Sequence, residues 1–314
     1  MAGLACAGAL HAAGAGVTVF DKGRRLGGRL ATRRVDGLQF DHGAQYASAH
    51  GPAFQAVLDG MGAAGDAAPW AAPGAGRWVG TPCMSAMARH MAGLGVGALH
   101  GMRHVAHLDR APGGWMVRHL DAATARPGLV TQQGGEVAGP FDAVVLALPA
   151  PQASALLQAV AHPFASEANR AGMAPCWTLM LAFPEATDAP DLPPSSGALA
   201  WIARDSSRPG RRRTPECWVA NAGAEWSRAH LEASADEVSS SLLQEFAAVT
   251  GLHQTPAYAA VHRWRYALAD TPLGCPALWD ADAGLGVCGD WCLGRRVEDA
   301  HTSGLALAER LHMR

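Results

Sequence analysis

Asp21 closes the run "VTVF", and Gly27, Gly28 and Arg29 follow it within one short stretch. A carboxylate at the end of a β-branched strand suits a paired hydrogen bond to the hydroxyls of an adenosine ribose. The two glycines allow close backbone approach, and Arg29 brings a cation for a pyrophosphate. A second segment, "FDHGAQYA", sets His42 among small residues. A third, "CGDWCLGRRVEDAHTSG", puts Gly289 and Asp290 just ahead of a helix. Aromatics cluster elsewhere: Trp218 in "ECWV", and His262, Trp264 and Tyr266 at alternate positions of "HRWRYA". Such residues either line a pocket or fill a core. His42 likewise reads either as a residue beside a bound ring or as a satisfied loop histidine. The run Arg211–Arg213 reads as a phosphate contact or as a solvated loop.

Several classes of chemistry fall away on composition. Lys22 is the only lysine, and it sits in a turn after a strand, which disfavours Schiff-base catalysis. The seven cysteines form no Cys-x-x-Cys pair and read as reduced thiols of a cytoplasmic protein. His100, His104 and His107 straddle a strand and a turn with mixed parity, so a metal site is not expected. A net charge of −2 argues against nucleic acid or a polybasic membrane surface as partner. The apolar runs stop short of a membrane span. "LACAGALHAAGAG" lacks the positive start of a signal peptide.

The elements that must position these residues follow from pattern. Residues 2–13 read as a helix with small residues along one side, and Val17–Phe20 as a buried strand. Helices are expected over 53–64, Pro82–Ala92, Ser234–Val249 and from Glu298 onward, with a loop at "WAAPGAG". A short strand near Val96–Leu99 precedes a hairpin of His104–Asp109 and Trp115–Leu120 around "RAPGG". "FDAVVLALP" is an apolar strand of the kind buried on both faces. Between about 173 and 268 come longer strands rich in aromatics: "CWTLMLAF", "ALAWIARD", "ECWVANA" and "AYAAVHRWRYAL". The fold class is therefore α/β: a discontinuous Rossmann-like nucleotide domain with an inserted mixed α+β substrate domain. The nucleotide domain is expected at 1–50, 78–155 and 270–314, the substrate domain at 51–77 and 156–269.

"GGRLATRR", "FDHGAQY", "APCW", "WIARDSSRPGR", "ECWV", "HRWRYA" and "CGDWC" occur in order along the chain. Together they resemble the FAD-dependent amine oxidase superfamily, and more closely its renalase-like bacterial branch. That resemblance implies a non-covalent FAD that accepts hydride and returns the electrons to O2, giving H2O2. It implies oxidation of the 2- and 6-dihydronicotinamide isomers of NAD(P)H to NAD(P)+, which needs no strong base because hydride loss aromatises the ring. An amine oxidase acting on a small amine is the alternative.

The resemblance also distributes roles. Asp21 would bind the adenosine ribose and Arg29 the pyrophosphate, with Lys22, Arg24 and Gly28 in the same turn. Val105 would offer its backbone to adenine. Gly43, Ala44, Gln45 and Tyr46 would pass close to the isoalloxazine. Gly289 and Asp290 would meet ribityl or phosphate hydroxyls. The helix start at Val297 and Glu298 would face the flavin pyrimidine. Pocket or catalytic positions would be His42, Trp218, His262, Trp264 and Tyr266. Family members begin with a strand and G-x-G-x-x-G, whose last three positions align with Met1, Ala2 and Gly3. The strand and first two glycines are thus expected upstream of Met1; without them, a flavin-free binding protein is a further alternative. Cys83 stands where the family has glycine.

Overall fold

The computed structural model describes residues 1–71, 76–125 and 134–312. The expected loop at 70–76 lies partly outside the described residues. The chain separates into two compact units. One comprises Met1–Gly28, Ala88–Met173 and Ala269–Arg314; the other comprises Arg29–Met87 and Ala174–Leu268.

The first unit is the α/β one. Its opening helix, Ala2–Ala12, buries Ala2, Leu4, Ala5, Cys6 and Ala7. Small residues let it press against the last helix, Val297–His312: a Cβ on Gly304 would stand 2.2 Å from the Ala2 carbonyl oxygen. The strand Thr18–Phe20 pairs in parallel with Ala98–His100. A separate ladder joins Val144–Leu146 in parallel to Leu285–Val287, with Leu278–Asp280 antiparallel on its far side. Within the apolar run "FDAVVLALP" the strand of this ladder spans only Val144–Leu146, and Pro149 caps the helix Ala150–Ala159 that follows. The expected hairpin forms from Arg103–Ala111 and Gly114–Asp121, with Glu136–Phe141 as its third strand.

The second unit is built on an antiparallel sheet. Its strand order is Leu199–Arg204, Glu216–Ala222, Gly172–Phe183, Tyr258–Thr271. Strand alternation divides its faces. Trp177, Leu179, Leu181 and Phe183 join Trp218, Ala220 and Ala222 against Val238, Leu242 and Phe246 of the helix Ala235–Thr250. That helix is capped by a reciprocal Ser234–Glu237 box and stopped by Gly251 at φ +73°. Met180, Ala182, Cys217 and Val219 point the other way, onto Phe40. Phe40 belongs to the hairpin of Arg33–Val35 and Leu38–Phe40. This packing carries residues 29–50 into the second unit, where the sequence suggested the first.

Candidate active site

Phe40 anchors "FDHGAQYA" in the core, and the residues after it are laid out by hydrogen bonds within the second unit. Asp41 is fully buried. Its Oδ1 accepts from Thr32 Oγ1 at 2.6 Å and from the Met84 amide at 2.9 Å. Its Oδ2 accepts from Arg211 Nη2, and Arg208 Nη1 lies 3.8 Å away. Arg208 also pairs with the buried Asp205 at 2.8 Å. Burial, partly offset by Arg208, pushes the Asp205 carboxyl up to about 6. This Asp41–Arg208–Asp205–Arg211 cluster went unread in the sequence, where the run Arg211–Arg213 reads as a phosphate contact or a solvated loop. Arg211 is in fact buried, and its Nη1 donates to the carbonyls of Gly80 and Pro209 at 2.6 Å each. Arg212 and Arg213 are exposed, as a solvated loop requires.

His42 is buried beside two aromatic partners. Its ring stacks on Trp264 at 5.3 Å and meets His262 edge-on at 4.8 Å. Trp264 Nε1 donates to the His42 carbonyl at 2.8 Å, and Thr178 Oγ1 at 3.3 Å, so the backbone here is held from two strands. Burial, then the neighbouring His262, lower the His42 imidazole to about 4. Burial lowers His262 as well. The His42 ring is therefore neutral at physiological pH, and its Nδ1 is buried without a hydrogen-bond partner. His262, Trp264 and Tyr266 share one face of their strand by alternation.

Gly43 must be glycine, since a Cβ there would lie 2.1 Å from the Arg29 carbonyl oxygen. That same oxygen accepts from the Ala44 amide at 2.8 Å. Arg29 Nη1 in turn donates to the Ala267 carbonyl at 3.1 Å. Gln45 is a brace: its amide donates to the Asp41 and Gly43 carbonyls and accepts from Trp201 Nε1 and Arg208 Nη2. Tyr46 presents its ring beside Trp201 at 5.6 Å. The Arg77 guanidinium covers both, 4.7 Å from Tyr46 and 5.5 Å from Trp201.

Trp218 does not belong with these residues. It is fully buried on the opposite face of the sheet, edge-on to Phe246 at 5.6 Å, with Nε1 donating to Glu216 at 2.6 Å. Alternation sends residues 218, 220 and 222 to the helix side, and the sequence alone does not say which side the helix covers. Cys83 is buried; burial raises its thiol, yet hydrogen bonding with Ser85 and Thr32 brings it below the ordinary value. Arg34 Nη2 also donates to its sulfur at 2.9 Å.

In the first unit, Asp21 sits at the end of Thr18–Phe20 and its Oδ1 accepts from the Gly23 amide at 2.7 Å. Lys22, Arg24 and Gly28 are exposed around it. Val105 is half-buried on the hairpin, opposite His119, with a register shift just beyond it. Gly289 donates to Ser303 Oγ at 2.9 Å and leads into the short turn Asp290–Cys292. Asp290 is buried, as is Glu298 in the first turn of Val297–His312. Trp291 is a core residue whose Nε1 donates to the Leu148 carbonyl at 2.9 Å. The helix Ala2–Ala12 starts without a side-chain cap.

Comparison with known proteins covers nearly the whole chain. Residues 1–61 match the model of an NAD(P)-binding Rossmann-like domain, and residues 73–312 that of flavin containing amine oxidoreductases. Among solved structures, an Exiguobacterium sp. 255-15 protein described as a protoporphyrinogen oxidase superposes with TM-score 0.76 at 12% identity, covering 99% of this chain and 96% of that one. Putrescine oxidase bound to putrescine gives TM-score 0.66 at 13% identity, covering 99% and 96%. Cyclohexylamine oxidase from Brevibacterium oxydans IH-35A gives 0.62 at 14%, with the same coverage. At such identities the likeness is one of fold.

Proposed function

The chain belongs to the flavin containing amine oxidoreductase family, and from that membership we propose that it oxidises isomeric dihydronicotinamide dinucleotides, the 2- and 6-dihydro forms of NAD(P)H, to NAD(P)+. It is an FAD-dependent oxidoreductase. When bound, FAD supplies a two-electron acceptor that takes hydride and hands the electrons to O2. The residues of the first unit suit that cofactor: an uncapped helix start for the pyrophosphate, the Asp21 carboxylate for the ribose, and buried Asp290 for a hydroxyl. Val105 would serve adenine through its backbone, and the Val297–Glu298 turn would direct its positive end at the pyrimidine.

The observation that carries the substrate reading is the guanidinium of Arg77 over the Tyr46 and Trp201 rings. An aromatic pair already covered by a cation disfavours an ammonium group and favours a ligand bearing phosphates. Neutral His42, with His262 beside it, fits the same chemistry. Hydride loss from a dihydropyridine leaves an aromatic cation and removes no proton, so the reaction asks no acid–base role of these histidines, which position the ring. Trp264 holds the His42 backbone for that purpose.

A small amine is the second reading, favoured by the likeness in fold to putrescine and cyclohexylamine oxidases. Oxygen uptake by the purified flavoprotein distinguishes the two. Consumption with 6-dihydroNAD and none with simple primary amines is expected; the reverse would overturn the proposal.

A further inference from the structure

A cavity of about 450 Å³ opens within the second unit, lined among others by Trp70, Ser206, Ser207, Arg208, Arg211 and Arg213. Much of this lining belongs to the segment "WIARDSSRPGR", to which no cofactor contact is assigned above. Segments 69–71 and 191–192 supply part of the cavity wall and 206–213 the rest, where a tight turn has the Arg211 amide donating to the Arg208 carbonyl at 3.2 Å, with Gly210 at φ +75° between them. A Cβ at Gly210 would also stand 3.2 Å from Thr81, so the turn requires glycine. It sends two guanidinium groups into the interior and leaves Arg213 exposed.

The hydrogen-bond inventory around this cavity has a surplus of donors. The neighbouring carboxylates have cationic partners: Asp41 is met by Thr32, Met84 and Arg211, Asp191 lies 3.2 Å from Arg204, and Asp205 is ion-paired with Arg208 at 2.8 Å, although Asp205 Oδ1 accepts no hydrogen bond. Arg208 and Arg211 nonetheless each bury an Nε–H with no acceptor. Buried donors without partners are costly, and a guanidinium is shaped to give paired hydrogen bonds to an oxyanion. Arg208 is meanwhile locked in place, stacked 4.9 Å over Trp70 and donating to Gln45 at 2.6 Å. Its geometry is therefore preset before any ligand arrives. Exposed Arg213 adds a charge that long-range attraction can use.

We propose that this cavity is a binding site for a phosphate or carboxylate group. It stands independently of which hydride donor the enzyme uses.

Inorganic pyrophosphate titrated into the flavoprotein by calorimetry tests it. Saturable binding at one site per chain is expected. Arg213→Glu, at an exposed position that leaves the melting temperature unchanged, is expected to weaken it roughly tenfold or more. Arg213→Lys keeps the charge and should stay within about threefold. Arg170→Glu, on an exposed helix of the first unit, is the control for non-specific charge effects. No saturable binding, or equal weakening by Arg170→Glu, would overturn the site. Where binding is seen, its source follows from kinetics: pyrophosphate competing with a dinucleotide substrate assigns the site to the substrate's own phosphates, and an unchanged KM assigns it to a separate ligand.

Discussion

Arg77 holds its guanidinium carbon 4.7 Å from the centre of the Tyr46 ring, so that aromatic face carries a positive charge before any substrate binds. Replacing Arg77 with methionine keeps much of the side-chain bulk and removes the charge. KM for 6-dihydroNAD is expected to rise roughly tenfold, equivalent to about 1.4 kcal/mol, with kcat within about twofold. Steady-state peroxide production reads both constants. An unchanged KM would detach Arg77 from substrate recognition.

The neutral state of His42 has a consequence for acid stability. In the fold its imidazole titrates near 4, against 6.5 for the ordinary group. Between those values the unfolded chain binds the extra proton and the folded chain does not. Stability from this group is complete above about pH 6.5 and is lost as pH falls toward 4, by about 3 kcal/mol in all. Urea midpoints measured across that window should fall in the wild type. In His42→Gln the slope should be shallower, and parallel slopes would contradict the assignment.

Trp218 sits in the core and not at the site, so its truncation is a stability experiment. Trp218→Ala should cost about 3–5 kcal/mol, from lost packing on Phe246 and the loss of one of the donors to Glu216. Trp218→Phe should retain fold and leave KM unchanged within about twofold. A large change in KM with an unchanged melting temperature would return Trp218 to the pocket.

The sequence revealed more of the backbone plan than of the site. Strand-plus-acid at Asp21, the hairpin around "RAPGG" and the helix beginning near Ser234 depend on local chemistry, and they stand where pattern puts them. Trp218 and Trp264 look alike by alternation, yet one meets a helix and the other meets His42. Which face is covered depends on a helix distant in the chain. The Asp41–Arg208–Asp205–Arg211 cluster was unreadable for a similar reason. Asp41 is far in sequence from Asp205, Arg208 and Arg211, and Arg211 resembles its exposed neighbours Arg212 and Arg213 until the Gly210 turn buries its side chain.

Asp290 offers a direct check of the cofactor half. Asp290→Ala is expected to weaken FAD binding several-fold, as the loss of one hydrogen bond worth about 0.5–1.5 kcal/mol requires. Equilibrium fluorescence titration of apoprotein with FAD supplies the dissociation constants. Identical values for variant and wild type would remove Asp290 from the cofactor site.

The central claim is that this flavoprotein takes hydride from a dihydronicotinamide isomer without removing a proton. Anaerobic stopped-flow mixing of the FAD-bound protein with 6-dihydroNAD, and separately with a simple primary amine, follows bleaching of the flavin band. Bleaching by the dinucleotide is expected, at a rate varying less than about threefold between roughly pH 6 and 8, with none by the amine. Bleaching by the amine alone, at a rate that climbs with pH, would contradict it.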